Sequence, residues 1–168
     1  MTEVHDVETT ALMTFLDAQR DSVLAIVADL DTVALASVVL PSGWTPLGLL
    51  KHLGFAERHW FQGVALGAEQ PVRWPDGSDE GDHRPFRTDL PAEAVFAFYR
   101  EQISRSNSVL ASTALSTPPV GRHPGDDANE VTDLRWIVLH MIEETARHAG
   151  HLDIARELLD GRTGLGPR

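Results

Sequence analysis

Glu144 and His148 are an acid and a histidine four residues apart, in the segment from Thr132 to Leu159. Residues with this spacing lie above one another on the same face of a helix. With about 100° of rotation per residue, the rest of that face is apolar. Its apolar members are Leu134, Ile137, Met141, Leu152, Ala155 and Leu159. Glu144 is therefore predicted to point inward, whereas its neighbour Glu143 is predicted to point to solvent.

A carboxylate on an apolar face needs a partner. Burying an ionised carboxylate in an apolar interior is strongly unfavourable unless the group is paired or bound to a cation. Two explanations stay open at this point. Glu144 and His148 could bind a divalent metal ion, or they could form a buried hydrogen bond that only holds two helices together.

His52 is the candidate for a third ligand. It borders the apolar stripe of an earlier predicted helix, beside Leu49 and Ala56. Two histidines and a carboxylate are a recurring ligand set for catalytic zinc, with the remaining position left to water or substrate. The same donors also suit nickel or ferrous iron. Because helix bundles build metal sites from side chains on facing helices, we predict a site formed by His52, Glu144 and His148.

The remaining histidines have weaker assignments. His140 and His151 lie on the same side of the last predicted helix as Glu144, where each could support a ligand, line an entrance or simply be half-exposed. His59 could line a pocket, although a position at the boundary of the core is the simpler expectation. The following histidines fall in predicted loops or at the terminus, where we expect them on the surface: His5, His83 and His123.

Composition limits the class of protein. The chain has 168 residues, of which 42% are hydrophobic, which suits a single domain spanning residues 1–168. A net charge of -11 argues against binding to nucleic acid or anionic membranes. No apolar run is long enough to span a membrane, and no basic, secretory-type N-terminal segment is visible, so we expect a cytoplasmic protein. With no cysteine, any thiol chemistry would need a thiol from outside.

Apolar residues recur at three- and four-residue intervals in four segments. The predicted helices run from Val7 to Asp31, from Thr45 to Leu66, from Asp89 to Ser112 and from Thr132 to Leu159. Thr45 followed by Pro46 is typical of a helix start, and Gly161 of a helix end. We find no strand-like alternation, so the sequence predicts an all-α four-helix bundle.

Two long connections join these helices. Residues 68–89 contain four acidic residues in a short stretch, Asp76, Asp79, Glu80 and Asp82. This run could bind calcium, but it lacks the ligand spacing of an EF-hand, and a solvated loop is the favoured interpretation. The connection is long enough to run the length of a bundle, which would make helices two and three parallel. The second connection, residues 113–131, could cover the predicted metal site together with the first.

Several motifs resemble the DinB-like superfamily, and the branch of mycothiol-dependent enzymes in particular. In the second predicted helix they are Gly43-Trp44-Thr45-Pro46, Leu49-Leu50-Lys51-His52-Leu53 and Glu57-Arg58-His59-Trp60. In the last helix the resemblance runs from Glu143 to Glu157, and it continues in Asp160-Gly161-Arg162-Thr163-Gly164. It therefore covers nearly the whole chain, and its last-helix motif is fairly specific.

The resemblance implies a bundle with up-down-down-up topology, a long crossover between helices two and three, and often a homodimer. It also implies a divalent metal, commonly zinc or nickel. Many members use three histidines, whereas the matching positions here are His52, Glu144 and His148. The mycothiol-dependent maleylpyruvate isomerases are similar in using His-Glu-His. Because they carry a further C-terminal domain, the single-domain mycothiol S-transferases are the closer analogue.

These observations give three functional hypotheses. The first is a metal-dependent thiol S-transferase, in which the metal activates a low-molecular-weight thiol such as mycothiol for attack on an electrophile in detoxification. The second is a metal-binding DinB-like stress protein or hydrolase without thiol-transfer activity. The third is an inert bundle or dimer that contains a buried Glu–His pair.

Overall fold

A computed structural model describes residues 7–68, 86–123 and 131–164. All regular secondary structure within these ranges is helical, which confirms the predicted all-α class. The predicted acidic loop residues Asp76, Asp79, Glu80 and Asp82 lie outside the described residues. The same holds for His5 and His83, so those predictions stay as they are.

The described helices are α1 (Val7–Val27), α2 (Thr32–Leu35), α3 (Pro46–Glu57), a π-helix (Arg58–Ala65), α4 (Ala92–Ser112) and α5 (Leu134–Asp160). The first predicted helix is too long, because the chain leaves the helix after Val27 and Asp29 adopts a left-handed conformation with φ 61°. A separate turn of helix, α2, then begins after Asp31, whose carboxylate accepts a hydrogen bond from the amide of Ala34 at 2.8 Å.

Side-chain caps fix the starts of the two helices that carry the predicted ligands. The hydroxyl of Thr45 accepts a hydrogen bond from the amide of Gly48 at 3.1 Å, directly ahead of Pro46. The carboxylate of Asp133 accepts one from the amide of Trp136 at 2.9 Å. Such caps satisfy amides that lack a partner within the helix. α5 ends at Gly161, whose φ of 75° is the left-handed conformation that glycine adopts easily.

The second predicted helix changes its winding in the middle. α3 is regular as far as Glu57, and the next eight residues, Arg58–Ala65, form a π-helix. π-Helical segments are rare and are frequent at functional sites. Here the amides of Val120 and Gly121 donate hydrogen bonds to the carbonyls of Ala65 and Val64, at 3.1 and 2.8 Å. The chain after α4 is thereby attached to the side of the π-helix.

The core packs α1 against α5 and α3 against α4, and α3 also contacts α5. Buried hydrophobic residues form two clusters. One contains Val23, Leu50, Leu53, Tyr99 and Leu152 among others. The second contains Leu16, Phe61, Leu110, Ile137 and Met141 among others. The contact between α3 and α5 matters most for function, because it places His52 opposite Glu144.

A buried ion pair fixes the junction between α3 and the π-helix. The guanidinium of Arg20 makes two hydrogen bonds of 2.7 Å to the carboxylate of Glu57, which is fully buried. The same guanidinium also donates to Asp17 at 2.8 Å and to Asn107 at 2.7 Å. These bonds connect α1, α3 and α4. Removing one partner of such a pair would leave an uncompensated charge, which typically destabilises a protein by about 3–5 kcal/mol.

Candidate metal centre

The structure brings the three predicted ligands together, although His52 and Glu144 are 92 residues apart in the sequence. The Nε2 atom of His52 on α3 lies 3.0 Å from Oε1 of Glu144 on α5. Nε2 of His148, one turn further along α5, lies 3.0 Å from the same oxygen. One ligand atom from each residue lies within 4.8 Å of the other two. Within residues 7–68, 86–123 and 131–164, no other group of three acidic or histidine side chains meets this criterion.

The carboxylate of Glu144 is held in its ionised form. Hydrogen bonds from His148 and from His52 lower its pKa far below the ordinary value, although partial burial alone would raise it. The Glu144 side chain is 18% exposed, and that of His148 only 9%. The centre therefore concentrates a negative charge between two imidazole nitrogens in a poorly hydrated position.

These donors fit a divalent metal ion. Zinc binds histidine nitrogen and carboxylate oxygen at about 2.0–2.2 Å, which separates neighbouring ligand atoms by roughly 3.4 Å in a tetrahedral arrangement. The two nitrogen–oxygen separations of 3.0 Å are close to this value. A cation could take the place of the protons that the two histidines share with Glu144, since all three ligand atoms lie within 4.8 Å of one another. Two nitrogens and one oxygen do not distinguish zinc from nickel or ferrous iron.

His151 supports the centre from outside. Its Nδ1 lies 3.3 Å from Nδ1 of His148, the ring nitrogen that faces away from Glu144. The indole of Trp44 packs against His151, with ring centroids 6.2 Å apart. Contacts of this kind fix the tautomer and the ring orientation of a metal-binding histidine. The sequence placed His151 on the correct side of α5 but left its role open.

A protein-family model for mycothiol-S-transferases matches residues 11–161. The chain belongs to the mycothiol-S-transferase family. The match contains both helices that carry the predicted ligands, and it confirms the resemblance seen in the sequence motifs. Neither the comparison with curated proteins nor the comparison with solved structures found a match.

Phe86 is the main contact of the centre that sequence reasoning missed. Its ring stacks on His52, with centroids 4.0 Å apart and an angle of 16° between the planes. It also meets the edge of His148 at 5.9 Å. Phe86 lies within the connection of residues 68–89, after its acidic residues, and no periodic pattern around it indicates which helix it covers.

Three further histidines form a second group, which we call the acid-free cluster: His59, His123 and His140. His59 lies on the π-helix and His140 on α5, whereas His123 lies in the chain between α4 and α5. Nε2 of His59 lies 2.8 Å from Nδ1 of His123. The rings of His123 and His140 stack on Trp60 and Trp136, respectively, at 4.7 and 5.3 Å. The prediction that His123 is a surface residue is wrong, because the backbone bonds of residues 120 and 121 hold this segment on the π-helix.

Two members of the acid-free cluster, His59 and His140, have lowered pKa values, which favour their neutral form. Burial lowers the pKa of His59, and the neighbouring His123 and His140 lower it further. Burial also lowers the pKa of His140, while Glu144 and Glu143 oppose this effect. These side chains do not form a cation site of the kind seen at Glu144. His140 is half-buried.

One orientation on α3 was predicted incorrectly. The helical periodicity of the second predicted helix indicates that Lys51 faces away from the core, but this side chain is only 6% exposed. Its ammonium group donates a hydrogen bond to the carbonyl of Arg87 at 3.0 Å. The chain at residues 86 and 87 covers this side of α3, which helical periodicity within α3 does not indicate. Burial lowers the pKa of Lys51, and Asp89 opposes the shift.

No helix in residues 7–68, 86–123 and 131–164 has the length and apolar character needed to cross a bilayer.

Proposed function

We propose that this protein is a metal-dependent thiol S-transferase that joins a low-molecular-weight thiol, mycothiol by preference, to an electrophile in detoxification. His52, Glu144 and His148 would hold the metal, with zinc preferred over nickel or iron. The observation that carries the proposal is one carboxylate oxygen flanked by two histidine nitrogens at 3.0 Å, in a member of the mycothiol-S-transferase family.

A divalent cation at this position would supply one property, a lowered pKa for a nearby thiol, whose ordinary value is about 8.5. The side chains of the protein do the rest. Glu144 contributes the negative charge that attracts the cation, and the two histidines direct their Nε2 atoms toward it. The sequence has no cysteine, so the nucleophilic sulfur belongs to the cosubstrate.

The overall reaction is a substitution. A carbon–sulfur bond forms between the thiol and the electrophilic carbon, and the bond from that carbon to its leaving group breaks. The thiol proton passes to solvent, and the leaving group departs with the bonding electron pair. No oxidant or reductant is needed, because the thiol is alkylated or arylated.

We also propose that the helices form a single DinB-like four-helix domain over residues 1–168 with up-down-down-up topology. The four members would be α1, α3 with the π-helix, α4 and α5, and the connection between the π-helix and α4 would be the crossover. The packing of α1 on α5 and of α3 on α4 supports this arrangement. A homodimer and a cytoplasmic location stay predictions.

The direct test compares wild type with His148→Ala in the conjugation of mycothiol to 1-chloro-2,4-dinitrobenzene, with zinc supplied. We expect the variant to lose nearly all of the enzyme-dependent rate, because it lacks a metal ligand. Arg147→Ala is the matched control, since Arg147 is the preceding residue and its side chain is 61% exposed. Equal rates for wild type and His148→Ala would reject the proposal.

One observation favours the third hypothesis, a purely structural His–Glu–His group. Glu144 already has two hydrogen-bonding partners within the protein. A ligand that binds only the folded state raises the melting temperature. An unchanged melting temperature of chelator-treated protein after addition of zinc or nickel would therefore support the structural role. Metal binding without thiol affinity, measured by calorimetry, would instead support a metal-binding protein or hydrolase.

A further inference from the structure

Phe86 contacts both histidines of the candidate metal centre. Its ring lies nearly parallel to that of His52, with centroids 4.0 Å apart, and meets His148 edge-on at 5.9 Å. The residue is 40% exposed. One part of the ring therefore covers the imidazole, while another part faces solvent.

The backbone around Phe86 is attached to the beginning of α3 by three hydrogen bonds. The carbonyl of Phe86 accepts one from the amide of Thr45 at 3.0 Å. The carbonyl of Arg87 accepts one from the ammonium group of Lys51 at 3.0 Å. The guanidinium of Arg87 donates one to the carbonyl of Gly43 at 2.7 Å. Thr45 caps the helix and Lys51 precedes His52, so these bonds fix Phe86 relative to the ligand that it covers.

Gly48 makes this close approach sterically feasible. A Cβ atom at this position would lie 2.1 Å from the carbonyl oxygen of Phe86 and 2.6 Å from Cα of Arg87. Both atoms belong to the backbone, so neither can move aside cheaply. Glycine destabilises a helix interior relative to alanine. Its presence in α3 is explained by the segment that lies directly on it.

We propose that Phe86 is a positioning residue for the metal centre, and this inference rests on the proposed function. A rotation of the imidazole of His52 about its bond to Cβ, other than a half-turn, would change the plane of the ring and break the stacking. The flat contact therefore holds the ring plane in which Nε2 reaches Glu144, and the hydrogen bond to Glu144 selects this orientation over the flipped one. The phenyl ring also screens one side of His52 from water and from competing ligands.

The first test measures zinc affinity by competition with a chromogenic chelator for wild type, Phe86→Ala and Phe86→Tyr. Aromatic contacts of this kind predict a weakening of roughly 3- to 10-fold for Phe86→Ala. Phe86→Tyr keeps the ring and should restore the affinity to within about twofold. Phe15→Ala is the control, since Phe15 on α1 is 62% exposed and should leave the affinity unchanged. The visible spectrum of the cobalt-substituted protein should change only in Phe86→Ala.

The second test does not depend on metal. In the chelator-treated protein, we expect the ring current of Phe86 to shift the NMR signals of the His52 ring hydrogens upfield, because the two rings are stacked with centroids 4.0 Å apart. Phe86→Ala should remove that shift, and Phe86→Tyr should keep it. If the shift is lost but wild type never binds zinc or cobalt, the proposed function fails while the contact is established. If Phe86→Ala changes neither the His52 signals nor the affinity of a zinc-binding wild type, the inference is overturned.

Discussion

The candidate metal centre and the acid-free cluster use similar parts in the same order along the chain. Each takes a histidine from the α3–π-helix segment, and these two histidines, His52 and His59, are seven residues apart. Each also takes side chains from one face of α5, where His140, Glu144 and His148 follow one another at four-residue intervals. In each, a segment from outside the two helices is attached by backbone hydrogen bonds, at residue 86 or at residues 120 and 121.

The two groups differ in charge, because only the metal centre contains a carboxylate, that of Glu144. At the metal centre, two histidine nitrogens point at this oxygen, and the pKa of Glu144 is lowered. In the acid-free cluster, the closest contact of His59 is another imidazole, and the pKa of His59 is lowered. Lowering the pKa keeps the glutamate charged but keeps the histidine neutral. The two groups therefore differ in charge, and among the described residues only the group with Glu144 brings three ligand atoms within 4.8 Å of one another.

The largest expected effect comes from removing this charge. Glu144→Gln keeps the size of the side chain and one oxygen acceptor but loses the negative charge. We expect zinc affinity to fall more than roughly 100-fold, beyond the range typical of changes outside the ligand set. Competition with a chromogenic chelator gives the value. Calorimetry then shows whether any zinc still binds.

Glu143→Gln is the matched control for that experiment. It makes the same chemical change one position earlier on α5, where the side chain is 72% exposed and pairs with Arg147 at 3.6 Å. Its zinc affinity should equal that of wild type. If the two variants behave alike, the difference between the metal centre and the acid-free cluster does not depend on Glu144.

A second prediction adds an acid to the acid-free cluster. His123→Glu places a carboxylate near His59, whose Nε2 now lies 2.8 Å from His123. A neighbouring negative charge favours the imidazolium form, so the pKa of His59 should rise. NMR titration of the His59 ring hydrogens in metal-free protein measures it. His123→Gln, which adds no charge, should raise the pKa less, and equal values in both variants would contradict the charge argument.

The placement of Glu144 and His148 on one face of α5 followed most directly from the sequence. Regular helical spacing is a local property, so it placed His148 on the buried face of α5 and Glu144 beside it. The meeting of α5 with His52 was a weaker inference from residues alone, because it depends on how two distant helices pack. The cap at Thr45 was predicted correctly because it involves only the amides of the helical turn that follows it.

The errors in side-chain burial arise where distant segments meet. Lys51 is buried because residues 86 and 87 lie on α3, and His123 is half-buried because its segment is bound to the π-helix. The π-helix itself was not predicted, since its residues continue the apolar pattern of α3. None of these contacts has a signal in the spacing of residues along a single helix.

The smallest predicted effect concerns pH. The pKa of His59 is lower in the folded protein than its ordinary value of 6.5, so the unfolded chain binds the proton more tightly. The free energy of unfolding should therefore decrease as pH falls below about 6.5, with no contribution from His59 above it. In chelator-treated protein, His59→Gln should lose less stability than wild type between about pH 7 and 5, as measured by urea unfolding.

His140 and His151, whose pKa values are also lowered, contribute to both proteins, so their effect cancels to a first approximation. Identical pH slopes for wild type and variant would show that the neutral state of His59 is not coupled to folding, and the contrast with the charged centre would then rest on Glu144 alone.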